Sequence, residues 1–323
     1  MGEDKKVLVV GGAGYIGGAL TDMFNSSHIK YDVYDSLVYE ELYLKDVNLI
    51  HGDIRDTKKL GSIINNYDSV IWLAALVGDG ACAVNPEETV SINEEPVKWL
   101  CENFNGRIVF TSTCSVYGAN RDKNLTEESP TNPLSIYAGT KLNAEKHLLD
   151  RGNSVIFRLG TVHGMGDRFS RPRLDLVTNI LTLKAVNGEE LTVFGGSQWR
   201  PIVHVRDVAS ALYMTQIQSA GWPDMDGIYN LADQNVEITD IAETIKEEVE
   251  GSKIKYQDMK YEDLRDYHVS TEKLKSQTDW NARISLKQSI RELMDLYSSH
   301  RIKNPQSSVY HNARYIGEKN GIK

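Results

Sequence analysis

The sequence predicts an α/β fold, a doubly wound parallel sheet with a second, smaller α+β lobe. Three observations predict it. Short apolar runs alternate with longer helical patterns through the first half of the chain. The first run leads directly into a glycine-rich turn, VLVVGGAGYIGG. An acidic residue, Asp35, closes the second run about 20 residues beyond that turn.

Buried strands are expected over residues 7–10, 31–34, 47–51, 69–73, 107–111 and 154–158, each rich in Val, Ile and aromatics and bounded by Gly, Asp or Asn. Helices are expected between them, near 16–25, 58–65, 87–103 and 135–149. The second half is less regular, with helical patterns over 174–184, 208–216, 238–249 and 286–297 and short strands at 191–194, 202–205 and 227–230. Residues 1–160 therefore read as the cofactor domain, with some later segments returning to it, and 161–305 mostly as the smaller lobe. Residues 306–323 form a polar tail, either unstructured or packed on a partner subunit.

A net charge of −9 argues against a nucleic-acid-binding surface. Three widely spaced cysteines, Cys82, Cys101 and Cys114, include no CxxC pair, so neither a disulfide framework nor a zinc site is expected. Free thiols suit the reducing cytoplasm. The charged start MGEDKK does not resemble a signal peptide, and uncharged stretches fall far short of a membrane span.

The glycine turn has the chemistry of a dinucleotide site of Rossmann type. Gly11 makes the tight turn, Gly14 lets the backbone approach a pyrophosphate, and Gly17 lets helix and strand pack closely. Ala13, Tyr15 and Ile16 belong to the same phosphate-facing segment, where the helix start presents amides and a partial positive charge. Asp35, with Ser36 beside it, is placed to accept the adenosine ribose hydroxyls. A carboxylate there repels a 2′-phosphate, and no Arg or Lys follows to receive one, so NAD is expected over NADP. Asp53, followed by Ile54, either accepts from the adenine amine or caps the next helix.

Tyr137 and Lys141 form YAGTK, an i, i+4 pair on one helical face. A lysine ammonium beside a phenol favours the phenolate, which would make Tyr137 a usable general base. At the end of the fifth strand, Thr113 is the hydroxyl chosen to share the sugar oxygen with Tyr137, while Ser112 and Ser115 read equally well as turn hydroxyls.

Taken together, the glycine motif, Asp35, STCSVYG and Tyr137-x-x-x-Lys141 resemble the extended short-chain dehydrogenase/reductases, and within them the NAD-dependent epimerase/dehydratase family acting on nucleotide sugars. The likeness spans roughly residues 6 to 300. It implies that Leu73, Ala74, Ala75 and Thr111 line the cofactor, that Asn93 supports the nicotinamide side, and that Lys141 holds the ribose. Family 4,6-dehydratases carry an Asp-Glu pair just after the Thr; here the pair is Cys114-Ser115, which cannot serve as acid and base for loss of water.

On the substrate side, the RLGTVHG segment containing Thr161 resembles the family stretch where substrate enters. Arg200, Arg265 and Arg173 resemble the arginines that clamp a diphosphate in the family, a task suited to guanidinium geometry. RPRLDL and LRDYHVS are also similar to stretches of GDP-heptose 4-dehydrogenases. His163 and His204 stand without a ligand cluster, so no metal is expected. The implied substrate is a UDP-, GDP-, dTDP- or CDP-linked sugar, and the implied assembly is a homodimer. The expected reaction is 4-epimerisation, with 4-dehydrogenation as the alternative and 4,6-dehydration or NAD binding without chemistry further behind.

Overall fold

The structure, a computed structural model, describes residues 5–40, 43–120, 124–217, 224–258 and 266–321. In chain order its strands are β1 (Lys6–Val10), β2 (Lys30–Asp35), β3 (Leu49–His51), β4 (Ser69–Trp72), β5 (Arg107–Thr113), β6 (Ser154–Leu159), β7 (Thr161–His163), β8 (Leu191–Phe194), β9 (Trp199–His204), β10 (Gly227–Leu231), β11 (Gln234–Glu237) and β12 (Ile254–Gln257). The helices are α1 (Tyr15–Asn25), α2 (Thr57–Gly61), α3 (Asp79–Val84), α4 (Pro86–Asn93), α5 (Glu95–Asn103), α6 (Ile136–Arg151), α7 (Val177–Val186), α8 (Val205–Met214), α9 (Ile238–Glu248), α10 (Glu272–Gln277), α11 (Leu286–Ser298) and α12 (Asn312–Lys319).

The main sheet is 7-stranded and parallel, in the order β10-β6-β5-β4-β1-β2-β3. The strand order reverses between β1 and β4, and that switch point is where such sheets open a crevice for ligand. Because helices cover both faces, the strands are apolar on both sides. Val7, Val9, Ile71, Val109 and Phe157 pack under α1 and α8, while Leu8, Val10, Trp72, Ile108, Phe110 and Ile156 pack under α5 and α6. β10 and α8 come from the second half of the chain, so the polypeptide returns to the first unit after leaving it.

The smaller lobe holds the β11-β9-β7 sheet and the β12-β8 pair, with a core around Leu191, Ile202, Ile241, Ile245 and Ile290. Short elements such as α3, β7, β11, β12 and α10 lie outside the sequence expectation, and two further differences bear on the site. The single helix expected over 87–103 is two, α4 and α5, each with a proline in its first turn; Pro96 has no N–H to continue the earlier ladder, so the helix restarts at Glu95. The polar tail, left open between disorder and a partner contact, folds onto its own chain as α12 against α3.

No helix among the described residues is long and apolar enough to cross a membrane.

Candidate active site

A cavity of about 370 Å³ opens at the switch point. It runs from the glycine turn and Asp35, past Gly52–Arg55 and the segment after β4, to Thr111–Thr113, Tyr137, Lys141 and Thr161. Each glycine acts differently. Gly11 has φ of +83°, and a Cβ there would lie 2.5 Å from the Ala74 backbone nitrogen. A Cβ on Gly17 would lie 2.5 Å from Gly12 Cα, so this glycine sets the approach of helix to strand. Gly14 meets only the Gly11 carbonyl, at 3.3 Å, and otherwise faces the cavity. Helix α1 starts there with no side-chain cap and no acid in its first turn, which leaves its amides for an anion. These features fit a dinucleotide pyrophosphate.

Asp35 accepts from the amides of Ala13 (3.0 Å) and Leu37 (2.8 Å) while still lining the cavity. Burial raises its pKa, and those amides oppose the rise. Ser36, Asp53 and Ile54 line the same end. Asp53 does not cap the following helix; Asp56 does, accepting from Lys59 N. Asp53 instead pairs with Arg55 at 2.6 Å, which holds its carboxyl below the usual range.

Leu73, Ala74 and Ala75 line the cavity. Asn93 does not: it is buried behind that segment, donating to Leu76 O (2.9 Å) and accepting from Leu76 N (2.8 Å). Its contribution is to pin the loop after β4.

Thr113 and Tyr137 both line the cavity wall, and Thr113 Oγ1 accepts from Ser115 N at 3.1 Å. Burial raises the Tyr137 pKa, reinforced by Cys82 and Asp79 and opposed by Arg173 and Thr113. Lys141 also lines the cavity. Its ammonium donates to Thr111 O at 2.9 Å and rests 4.5 Å over the Phe110 ring. Burial pulls its pKa down to about 8.

An unfolded lysine titrates near 10.4, so between about pH 8 and 10.4 the unfolded chain binds the extra proton and stability rises with pH. The buried charge thus weakens the fold at neutral pH. Lys141→Met is expected to melt higher than the parent at neutral pH, with the gap closing as pH climbs through that window. A gap independent of pH would show that the ammonium is not under strain.

Thr161 and Arg173 line the cavity, Arg173 paired with Asp175 at 2.7 Å. Arg200 does not line it: the side chain is buried, donates to Trp199 O at 2.8 Å and lies 5.8 Å from the ring of Tyr267, which does reach the wall. Arg265 lies outside the described residues. Arg171, of the same RPRLDL stretch as Arg173, also lines the cavity, as do Tyr39, Asp79 and, from α12, Asn312, Ile316 and Lys319, which the sequence motifs do not single out.

Next to the site, Cys114 is fully buried, its thiol on Arg158 O at 3.2 Å, and it faces away from the cavity. Ser115 lies 3.3 Å from Tyr267 Oη. His163 is held by Ser289 at 2.9 Å, and burial drives its pKa down to about 3. Asp207 accepts from the amides of Arg283 and Ile284, a structural role. Among the described residues, no group of three or more His, Cys, Asp or Glu is placed to hold a metal ion.

A model of the NAD dependent epimerase/dehydratase family matches residues 7–232. The UDP-glucose 4-epimerase of Halalkalibacterium halodurans is 31% identical over 233 residues, covering 64% of this chain and 70% of the relative. The CDP-paratose 2-epimerase of Salmonella typhi is 24% identical across 91% of this chain and 99% of its own. Among solved structures, MoeE5 in complex with UDP-glucose and NAD has a TM-score of 0.76 at 26% identity, covering 92% of this chain and 99% of that one.

Proposed function

The chain belongs to the NAD dependent epimerase/dehydratase family and takes NAD as its cofactor, and from that premise we propose that it epimerises a nucleotide-diphosphate sugar at C4. The observation that carries this reading is that Thr113 and Tyr137 stand together in the wall of the same cavity that the glycine turn and Asp35 line. When bound, NAD accepts a hydride from the sugar carbon and gives it back.

Tyr137 removes the proton from the sugar hydroxyl and later returns it. Thr113 orients that oxygen. Lys141, fixed on Thr111 O, presents its charge to the ribose side of the site. Arg173 supplies a cation for the substrate diphosphate, its guanidinium paired with Asp175. Dehydration lacks its acid and base, since Cys114 is sealed in the interior and Ser115 offers only a hydroxyl. A homodimer formed through the helices around Tyr137 is part of the same reading.

One observation favours a second outcome. The RPRLDL stretch that supplies Arg171 and Arg173 resembles 4-dehydrogenases of GDP-heptose, which would release the keto sugar. Incubation with UDP-, GDP-, dTDP- and CDP-sugars separates the two. The expected result is a product of unchanged mass with no accumulating reduced cofactor. A product two hydrogens lighter, with reduced nicotinamide absorbance building up, would make the protein a dehydrogenase. No turnover of any sugar in the panel would remove the nucleotide-sugar reading.

A further inference from the structure

Helix α12 lies beyond the residues that the family model matches, yet it forms part of the cavity wall. Its cavity-lining residues are Asn312, Ile316 and Lys319, spaced i, i+4 and i+7 on one helical face. At 1.5 Å per residue that stripe is about 10 Å long. The helix is fastened at both sides of the cavity mouth. Tyr315 Oη donates to Val38 O, in the loop after β2, at 2.6 Å. Asn312 Nδ2 donates to Val77 O, in the loop after β4, at 2.8 Å. β1 and its glycine turn lie between those two loops, because β1 sits between β2 and β4 in the sheet. The helix therefore forms a bar across the crevice.

Its ends are also fixed chemically. Asn312 is buried; its backbone N–H donates to Asp175 at 3.0 Å and its side-chain oxygen accepts from Arg171 at 2.5 Å. Ile316 is buried with Leu76, Ala81 and Cys82. At the far end Lys319 lines the cavity on the side of Asp53 and favours that carboxylate's charged form.

We propose that α12 is a cofactor clasp: the face formed by Asn312, Ile316 and Lys319 covers the adenosine half of bound NAD and keeps the dinucleotide on the enzyme from one turnover to the next. The inference rests on NAD occupying this cavity. It deepens the functional reading, because a cofactor that stays must take its hydride back, as epimerisation requires and net dehydrogenation does not.

The test is the exchange rate of NAD on the full chain. Protein loaded with the fluorescent analogue etheno-NAD is chased with excess NAD, and release is followed alongside the melting temperature of each variant. Asn312→Ala combined with Tyr315→Phe removes two fastenings, and Lys319→Gln removes the cation at the adenosine end. Both are expected to speed release by about tenfold or more, since changes at one interface act mainly on dissociation. Arg314→Gln, an exposed change on the same helix, is expected to leave release unchanged. Parent-like release in both cavity-facing variants would overturn the clasp. So would equal acceleration by Arg314→Gln. If the double variant does not fold, Lys319→Gln alone decides by the same criterion. A parent chain that binds no etheno-NAD would overturn the cavity assignment and the clasp together, whereas binding with unaltered release would overturn the clasp alone.

Discussion

Tyr137→Phe is expected to lower kcat by roughly 10²–10⁴-fold, the usual contribution of one positioned acid–base group, while NAD binding survives. The substitution deletes one oxygen from a partly buried ring and leaves the helix that carries it intact. Ser135 still caps that helix at Ala138 N, so the position of the ring does not depend on the phenol. Only the proton-handling atom is lost. Burial raises the pKa of this phenol, and Lys141 donates to Thr111 O. Single-turnover reduction of bound NAD checks the expectation. Reduction at the parent rate by the Tyr137→Phe variant would remove Tyr137 from proton transfer, and loss of NAD binding would show instead that the phenol supports the cofactor.

The parts of this site legible in the sequence are those whose chemistry requires one residue type at one backbone position. Gly11 and Gly17 are fixed by close approach of main chain to main chain, so a motif finds them directly. Asp35 is fixed by the end of β2. The main strands were readable because burial on both faces makes them continuous apolar runs.

What the sequence did not disclose depends on side-chain direction and on distant packing. Arg200 sits on β9, a strand of the expected lobe, but its guanidinium lies against Tyr267 rather than in the cavity wall. Asn93 is near the cofactor in sequence logic and one layer behind it in space. The role of α12 was hidden because an 8-residue helix with one buried large aliphatic, Ile316, has too little periodicity to stand out from a polar tail.

Glu145→Ala is expected to cost about 3–5 kcal/mol of stability, because it leaves a buried guanidinium without its counter-charge. Arg158 and Glu145 pair at 2.7 Å with side chains only 3% and 1% exposed. The pair is a hub: Ser112 donates to Glu145, and Arg158 also donates to Tyr117 Oη at 2.9 Å, which in turn donates to Asn230 at 2.7 Å. Four elements meet there, since Ser112 is on β5, Glu145 on α6, Arg158 on β6 and Asn230 on β10. Glu145 follows Lys141 by one helical turn, as Lys141 follows Tyr137, so one face of α6 runs from the cavity into this network. The pair's own net contribution is a separate quantity. Replacing both members by apolar residues of similar volume, Glu145→Leu with Arg158→Met, is expected to recover much of the loss, because the desolvation of both charges is then avoided. Urea unfolding of the two proteins measures the difference through the transition midpoint at constant slope. A midpoint for Glu145→Ala within about 1 kcal/mol of the parent would show that Arg158 finds water or another acceptor when Glu145 is gone. A double variant less stable than Glu145→Ala would show that the Ser112 and Tyr117 bonds, rather than the charge pair, hold the four elements together.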